Sequence, residues 1–266
     1  MTEEVFGSAA QQALLIRGHA CFRILRDDPR FSYYGRAVGL AAPERDTLGL
    51  VTALTRLQGV GSIARIPDQD MPSLRAQLED EGLSVTHYAR WSGGAAAIRA
   101  ARAWCRDVPL PDDLTLHRID ADSPPDTLEK LAEVSLACGV LPITGPVLRG
   151  ITRPGTGFVA VDAAGVPVAS AGAAAYLHPD RDGGECWWGM LSTDPTRRGQ
   201  RLALRVGAEV LLDITQRFGF TRVFTGIEPG NAASEAVCAR MGLVREDASV
   251  LSTADPGQMP GGRMTK

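Results

Sequence analysis

Apolar positions recur at helical spacing over residues 8–26, where Leu15, Ala20, Phe22 and Ile24 contribute. They do so again over 44–58, through Leu48, Val51, Leu54 and Leu57. Residues 62–66 read as a strand, 70–81 as a helix closed by Gly82, and 83–91 as a second strand. Two prolines and two acids then interrupt the pattern over 108–113, which marks a boundary.

Beyond that point the elements follow in a regular order. Residues 114–119 alternate as a strand, and 125–138 form an amphipathic helix on Leu128, Leu131, Ala132 and Val134. A shorter helix covers 146–151. Residues 158–161 and 166–177 make a hairpin around Asp162 and Gly165, and 185–192 is a further strand. A long helix is expected over 198–218, striped by Leu202, Val206, Val210, Leu211, Ile214 and Phe218. A strand at 222–227, a helix at 231–241 and a strand at 244–251 complete the series. Helix, Gly and strand over 74–91 faintly echo 236–250. Pro and Gly punctuate the chain from Ala254, which predicts a loose tail.

A length of 266 residues suits two domains: an N-terminal α/β unit (1–110) and a second unit (114–255), followed by a flexible tail (256–266). The apolar fraction of 44%, charged fraction of 22% and net charge of −3 fit an ordinary globular protein, with no bias toward nucleic acid or a membrane surface. The N-terminus lacks a cationic head and apolar core of the signal-peptide type. Cys21, Cys105, Cys138, Cys186 and Cys238 are scattered, without the spacing of a zinc or redox pair. The expectation is a cytoplasmic, metal-free protein.

The chemistry concentrates in the run from Leu191, Ser192 and Thr193 through Asp194-Pro195 to Arg198, Gly199, Gln200, Arg201, Leu202 and Ala203. A strand ends at a proline, and a basic, Gly-containing loop opens a long helix. The first amides of a helix lack internal partners and carry the positive end of its dipole, so a pyrophosphate fits there. Arg197, Arg198 and Arg201 supply cations. Solvation of an exposed helix start by the same arginines is the plainer reading of the loop alone.

The order of elements, with Arg198-Gly199-Gln200-Arg201-Leu202-Ala203 and the later Asn231-Ala232-Ala233-Ser234 running to Gly242-Leu243, resembles the GNAT superfamily of N-acetyltransferases over about 114–252. The resemblance implies a GNAT-like α/β (α+β) fold, a mixed and mostly antiparallel sheet flanked by helices, preceded by a smaller α/β domain. It implies acetyl transfer from acetyl-CoA, as cosubstrate, to a primary amine. The pyrophosphate would lie on Arg198 to Ala203, and the pantetheine arm would pair with Leu191, Ser192 and Thr193. Asn231 would touch the pantetheine or cap its own helix, with Ser234 one turn on.

Two positions depart from the family pattern. The central Gly of the loop is Arg201, for which a helical backbone is expected. Where relatives often carry a Tyr that protonates the leaving thiolate stands Cys238, either a donor or a buried wall residue. Glu185 is a candidate base acting through water, with a solvated surface acid as its plainer reading. Tyr176 and His178 are alternatives. Trp187 and Trp188, adjacent on a strand, must face opposite sides. A non-catalytic acyl-CoA-binding module is the main rival function, and an RNA contact at the arginines a weaker one. The N-terminal region is open among a decayed acetyltransferase-like half, a lid over the acceptor and a homodimerisation surface.

Overall fold

The alternating segment after the prolines becomes a strand that pairs with the first arm of the expected hairpin, and ten strands join into one sheet. A computed structural model describes residues 4–264. In chain order the elements are α1 (Ala9–Leu25), β1 (Phe31–Ser32), β2 (Gly39–Leu40), α2 (Thr47–Gln58), β3 (Val60–Pro67), α3 (Met71–Asp80) and β4 (Ser84–Gly93). Next come α4 (Ala95–Asp107), β5 (Leu114–Ile119), α5 (Pro125–Ala137), α6 (Gly145–Leu148), β6 (Gly155–Asp162) and β7 (Pro167–Ala175). The series ends with α7 (Pro179–Asp182), β8 (Glu185–Thr193), α8 (Leu202–Phe218), β9 (Arg222–Ile227), α9 (Ala232–Arg240) and β10 (Val244–Ala254).

The sheet runs β1-β2-β3-β10-β4-β9-β8-β7-β6-β5. Its pairings are antiparallel except at β2–β3 and β8–β9. The first eight positions read as a palindrome when β1, β2, β3 and β4 exchange with β7, β8, β9 and β10. Each half therefore follows strand, strand, helix, a strand parallel to the second, helix and a last strand, and the last strand of each half is inserted beside the other half's. The echo between 74–91 and 236–250 is the sequence trace of this exchange: β4 and β10 lie side by side from Ser84↔Ala254 to Ser92↔Val244.

Both faces of the sheet are covered. All nine residues of β7 are buried, and they are small apart from one Val and one Pro, because α8 and α5 pack on opposite sides of the strand. Trp187 and Trp188 follow the pleat to opposite faces and both are buried. The Trp188 indole donates to the Gly207 carbonyl of α8 at 2.9 Å, and a Cβ on Gly207 would stand 2.8 Å from that ring. Glycine at 207 is what lets helix and strand approach this closely.

Residues 95–107 carried no expectation from periodicity, yet they form α4, packed on α8 through Ala97 and Ala101. Ile98, Trp104 and Cys105 lie half-buried on the same face, which completes an apolar stripe with the two alanines. The segment after Ala254 lies along α2: Met259 is buried, and Gln258 donates to the Arg56 carbonyl at 2.8 Å. No helix among the described residues is long and apolar enough to cross a membrane.

Candidate active site

Strands β8 and β9 pair in parallel at only three positions, Glu185↔Arg222, Cys186↔Val223 and Trp187↔Phe224. Beyond Trp187 they part. β9 continues on the arm of β4, and β8 continues on β7, where the register slips between Gly172↔Gly189 and Ser170↔Ser192. One extra residue of β8 is accommodated there, and Met190 takes a φ of 56°. Such a bulge bends the strand and leaves backbone polar groups out of the ladder. A left-handed Met is a strained conformation, held here by burial on both faces of the strand.

β8 runs into a turn at Pro195–Arg197, closed by the Asp194 carboxylate on the Thr196 amide at 2.8 Å. The Thr196 hydroxyl and amide hold the Asp194 carboxyl below its usual range. Arg197 grips Asp113 with two hydrogen bonds, of 2.8 and 3.1 Å, and is thereby committed to the protein. Arg198 and Arg201 make no ion pair among the described residues, and both are exposed. Gly199 has a φ of 81°, and a Cβ there would meet open space. Glycine is required at 199 by its backbone angle rather than by crowding.

The expected helix start at Arg198 and helical backbone at Arg201 are both corrected. Arg201 sits at φ 63°, ψ 18°, in the left-handed region, and α8 starts at Leu202. Two positive φ angles within three residues interrupt any helical run. The amides at the head of α8 still point out of the helix without internal partners.

The gap between the parted strands is a cleft of about 250 Å³. Leu191, Asn231, Ser234 and Cys238 meet in its wall. Asn231 caps α9, its Oδ1 accepting the Ser234 amide at 3.1 Å. The Cys238 thiol is 2% exposed and burial pushes it up to about 12. Ser192 and Thr193 continue β8 outward from Leu191; the Ser192 hydroxyl is buried without a partner among the described residues. Arg198, Gly199, Gln200 and Arg201 form an exposed loop, and Leu202, which is buried, and Ala203 begin α8; none of the six lines the cleft itself.

Glu185 does not line the cleft. Its buried carboxylate pairs with Arg90 of β4, which also pairs with Glu246 of β10. Burial raises the Glu185 carboxyl and Arg90 pulls it back. Tyr176 does line the cleft, its phenol pushed up to about 12 by burial and by Tyr34. His178 caps α7 through Nδ1, accepting the Asp180 amide at 3.2 Å, and borders a different groove.

The N-terminal half supplies wall residues that no motif announced: Tyr34, Arg36, Ser62 and Tyr88. Tyr34 packs on Trp187 with ring centroids 4.7 Å apart. The clue available in the sequence was Tyr33-Tyr34-Gly35-Arg36, an aromatic and basic cluster around a glycine in a stretch without periodicity. Among the described residues no group of three His, Cys, Asp or Glu side chains could hold a metal ion.

Residues 131–243 match the model of the acetyltransferase (GNAT) family. This stretch is a GNAT acetyltransferase domain. The fold agrees. A GCN5-related N-acetyltransferase from Kribbella flavida superposes with a TM-score of 0.55 at 16% identity, over 92% of this chain and 96% of that one. A GCN5-related N-acetyltransferase-like protein from Streptococcus suis gives 0.53 at 18%, over 85% and 83%. A tandem GNAT protein from the clavulanic acid biosynthesis pathway gives 0.52 at 14%, over 84% and 75%. At such identities these likenesses concern the fold. No curated protein matches the chain. The GNAT domain and its fold imply acyl transfer from an acyl-CoA.

Proposed function

We propose that the protein transfers the acetyl group of acetyl-CoA to a primary amine by direct attack of the amine on the thioester. The observation that carries this reading is the parting of β8 from β9 at Trp187, with the Met190 bulge beside it and the Arg198 loop at its outer end. Pantetheine is a chain of amides that can pair with Leu191, Ser192 and Thr193, while the pyrophosphate meets the amides from Arg198 to Ala203 and the free guanidinium groups of Arg198 and Arg201. Asn231 spends its carbonyl on the cap, which leaves its NH₂ to donate.

The amine nitrogen adds to the thioester carbonyl carbon, and backbone amides released by the bulge hold the oxyanion. The C–S bond then breaks, the nitrogen gives up a proton and the CoA thiolate takes one. With its thiol raised to about 12, Cys238 is a poor donor for that last step. Glu185 is tied to Arg90 outside the cleft, so a proton reaches it from the amine only through a chain of waters.

In the N-terminal half, β1, β2, α2, β3, α3 and β4 stand where β7, β8, α8, β9, α9 and β10 stand in the second half. This supports a decayed acetyltransferase-like unit that now closes the acceptor side of the cleft. Its counterpart of the Arg198 loop carries two carboxylates around Arg45: Asp46 caps α2 at the Gly49 amide, 3.2 Å, and Glu44 pairs with Arg181 at 3.0 Å. The five free cysteines suit a reducing cytoplasm.

Calorimetric titration with CoA, followed by CoA release with a panel of amines, tests the proposal. Heat with CoA and thiol release are expected. Absence of heat, together with unchanged acetylation after Gly199→Val, overturns it. A specific observation favours the second reading, an acyl-CoA-binding module without turnover: a buried, high-pKa thiol stands where an acid is expected. Binding without thiol release would select it.

A further inference from the structure

Among the described residues the other buried arginines are held by a carboxylate or by several carbonyls, whereas Arg36 has one carbonyl and a phenol. Arg90 has Glu185 and Glu246, Arg149 has Glu4, and Arg153 donates to the carbonyls of Tyr33, Tyr176 and Leu177. Arg36 is 5% exposed and has no carboxylate partner among the described residues. Its Nη1 donates to the Tyr34 hydroxyl at 3.3 Å and its Nη2 to the Leu141 carbonyl, while Nε is buried without a partner. A guanidinium has five N–H donors, so most of this fork is unused. Leaving a buried cation uncompensated is costly, more so where the surroundings are apolar.

Arg36 borders the same cleft as Trp187, Leu191 and Cys238. The rings of Tyr34 and Trp187 lie 5.3 and 5.2 Å from the guanidinium carbon, which fixes the group without neutralising it. Among the described residues no other Lys or Arg lines the cleft, and Glu228, its one carboxylate there, is engaged by Arg263 at 3.4 Å. One cation facing a small aromatic-walled space matches one negative charge, with an apolar body beside it.

We propose, building on the acetyltransferase reading, that the acceptor is a small amine bearing a carboxylate, amino-acid-like, whose carboxylate is held by the Arg36 fork. A planar carboxylate accepts two parallel N–H bonds from guanidinium. A phosphate dianion would bring a second charge that the cleft does not balance. The N-terminal half thus selects the acceptor while the second half holds the donor.

The test compares CoA release for matched acceptors: phenylalanine against phenethylamine, leucine against isoamylamine, and β-alanine against phosphoethanolamine. Wild-type kcat/KM is expected to favour the carboxylate member of at least one pair by roughly 10- to 100-fold, the range of hydrogen bonds to charged groups. Arg36→Met brings that ratio near one, and Arg36→Lys retains part of it. Equal rates within every pair, preference for the phosphate, or a ratio that survives Arg36→Met overturns the inference while acetyl transfer stands. Should Arg36→Met fail to fold, the wild-type ratios decide. If CoA binds without turnover, heat from the amino acids but not the amines on CoA-loaded protein supports the inference, and its absence overturns it. No heat with CoA removes the transferase reading and this inference together.

Discussion

Glu185, the first residue of β8, is ion-paired with Arg90 of β4, so a strand of one half is locked to a strand of the other inside the sheet. Arg90 also lies 4.4 Å from the centre of the Phe224 ring in β9. Removing one member of a buried pair strands the other charge, although Glu246 remains to Arg90 here. Glu185→Gln is therefore expected to cost about 3 kcal/mol, seen as a melting temperature lower by roughly 10 °C. The acid limb of the kcat/KM profile should keep its shape in the surviving folded protein. Loss of that limb with unchanged melting would instead make Glu185 the base.

The Cys238 thiol offers a pH test whose sign follows from burial. Its ordinary value of 9.0 applies to the unfolded chain, and the folded value is about 12. Folding therefore disfavours the thiolate: the contribution to stability is complete below about pH 9 and declines as pH rises toward 12. Cys105, raised to about 11, acts in the same direction. Thermal melting between pH 8.5 and 10.5 should show falling stability, with a shallower fall in Cys238→Ala. The alkaline limb of turnover below pH 10 should not move in that variant. A limb that shifts would return Cys238 to the role of acid.

What could be read from the sequence is what repeats in space. Strands such as β5 and β9 alternate or run apolar between turn residues, and α8 shows its stripe because one face meets a flat sheet. α4 was legible and was passed over: Ala97, Ile98, Ala101, Trp104 and Cys105 recur at helical spacing on the face that meets the core. β1 and β2 have two residues each, too short for any period. In the site, Asn231, Ser234 and Leu191 were legible as local motifs. Arg36, Arg90 and the bulge at Met190 were not, since each is defined by partners more than fifteen residues away.

Arg201 is a non-glycine residue in the left-handed region at the head of α8. That conformation costs an L-residue roughly 1 kcal/mol, and the cation is what the chain gains for it. Arg201→Gly and Arg201→Ala both remove the charge, but only Gly removes the strain. Both should bind CoA several-fold more weakly, more noticeably at low salt. The Gly variant should melt above the Ala variant, by about 1 kcal/mol in stability. Equal melting would mean that the loop relaxes to another conformation, and equal CoA affinity with wild type would remove Arg201 from the diphosphate site.

The palindromic sheet raises the question of whether the first half also binds a donor. β2 pairs with β3 in parallel as β8 does with β9, and α2 follows β2 as α8 follows β8. At the head of α2, however, the Asp46 carboxylate already accepts from the Gly49 amide, and Glu44 stands two residues before it. Arg45 between them and Arg181 on Glu44 balance these two acids, so a diphosphate brought there would meet no net positive charge and a helix end whose donor is engaged, whereas the head of α8 offers Arg198, Arg201 and open amides. Titration should therefore reach saturation at one CoA per chain. Gly199→Val should abolish most of the heat, whereas Glu44→Gln should leave the stoichiometry at one. Two equivalents per chain, or heat that survives at Gly199→Val and is lost on altering the head of α2, would place the donor in the other half.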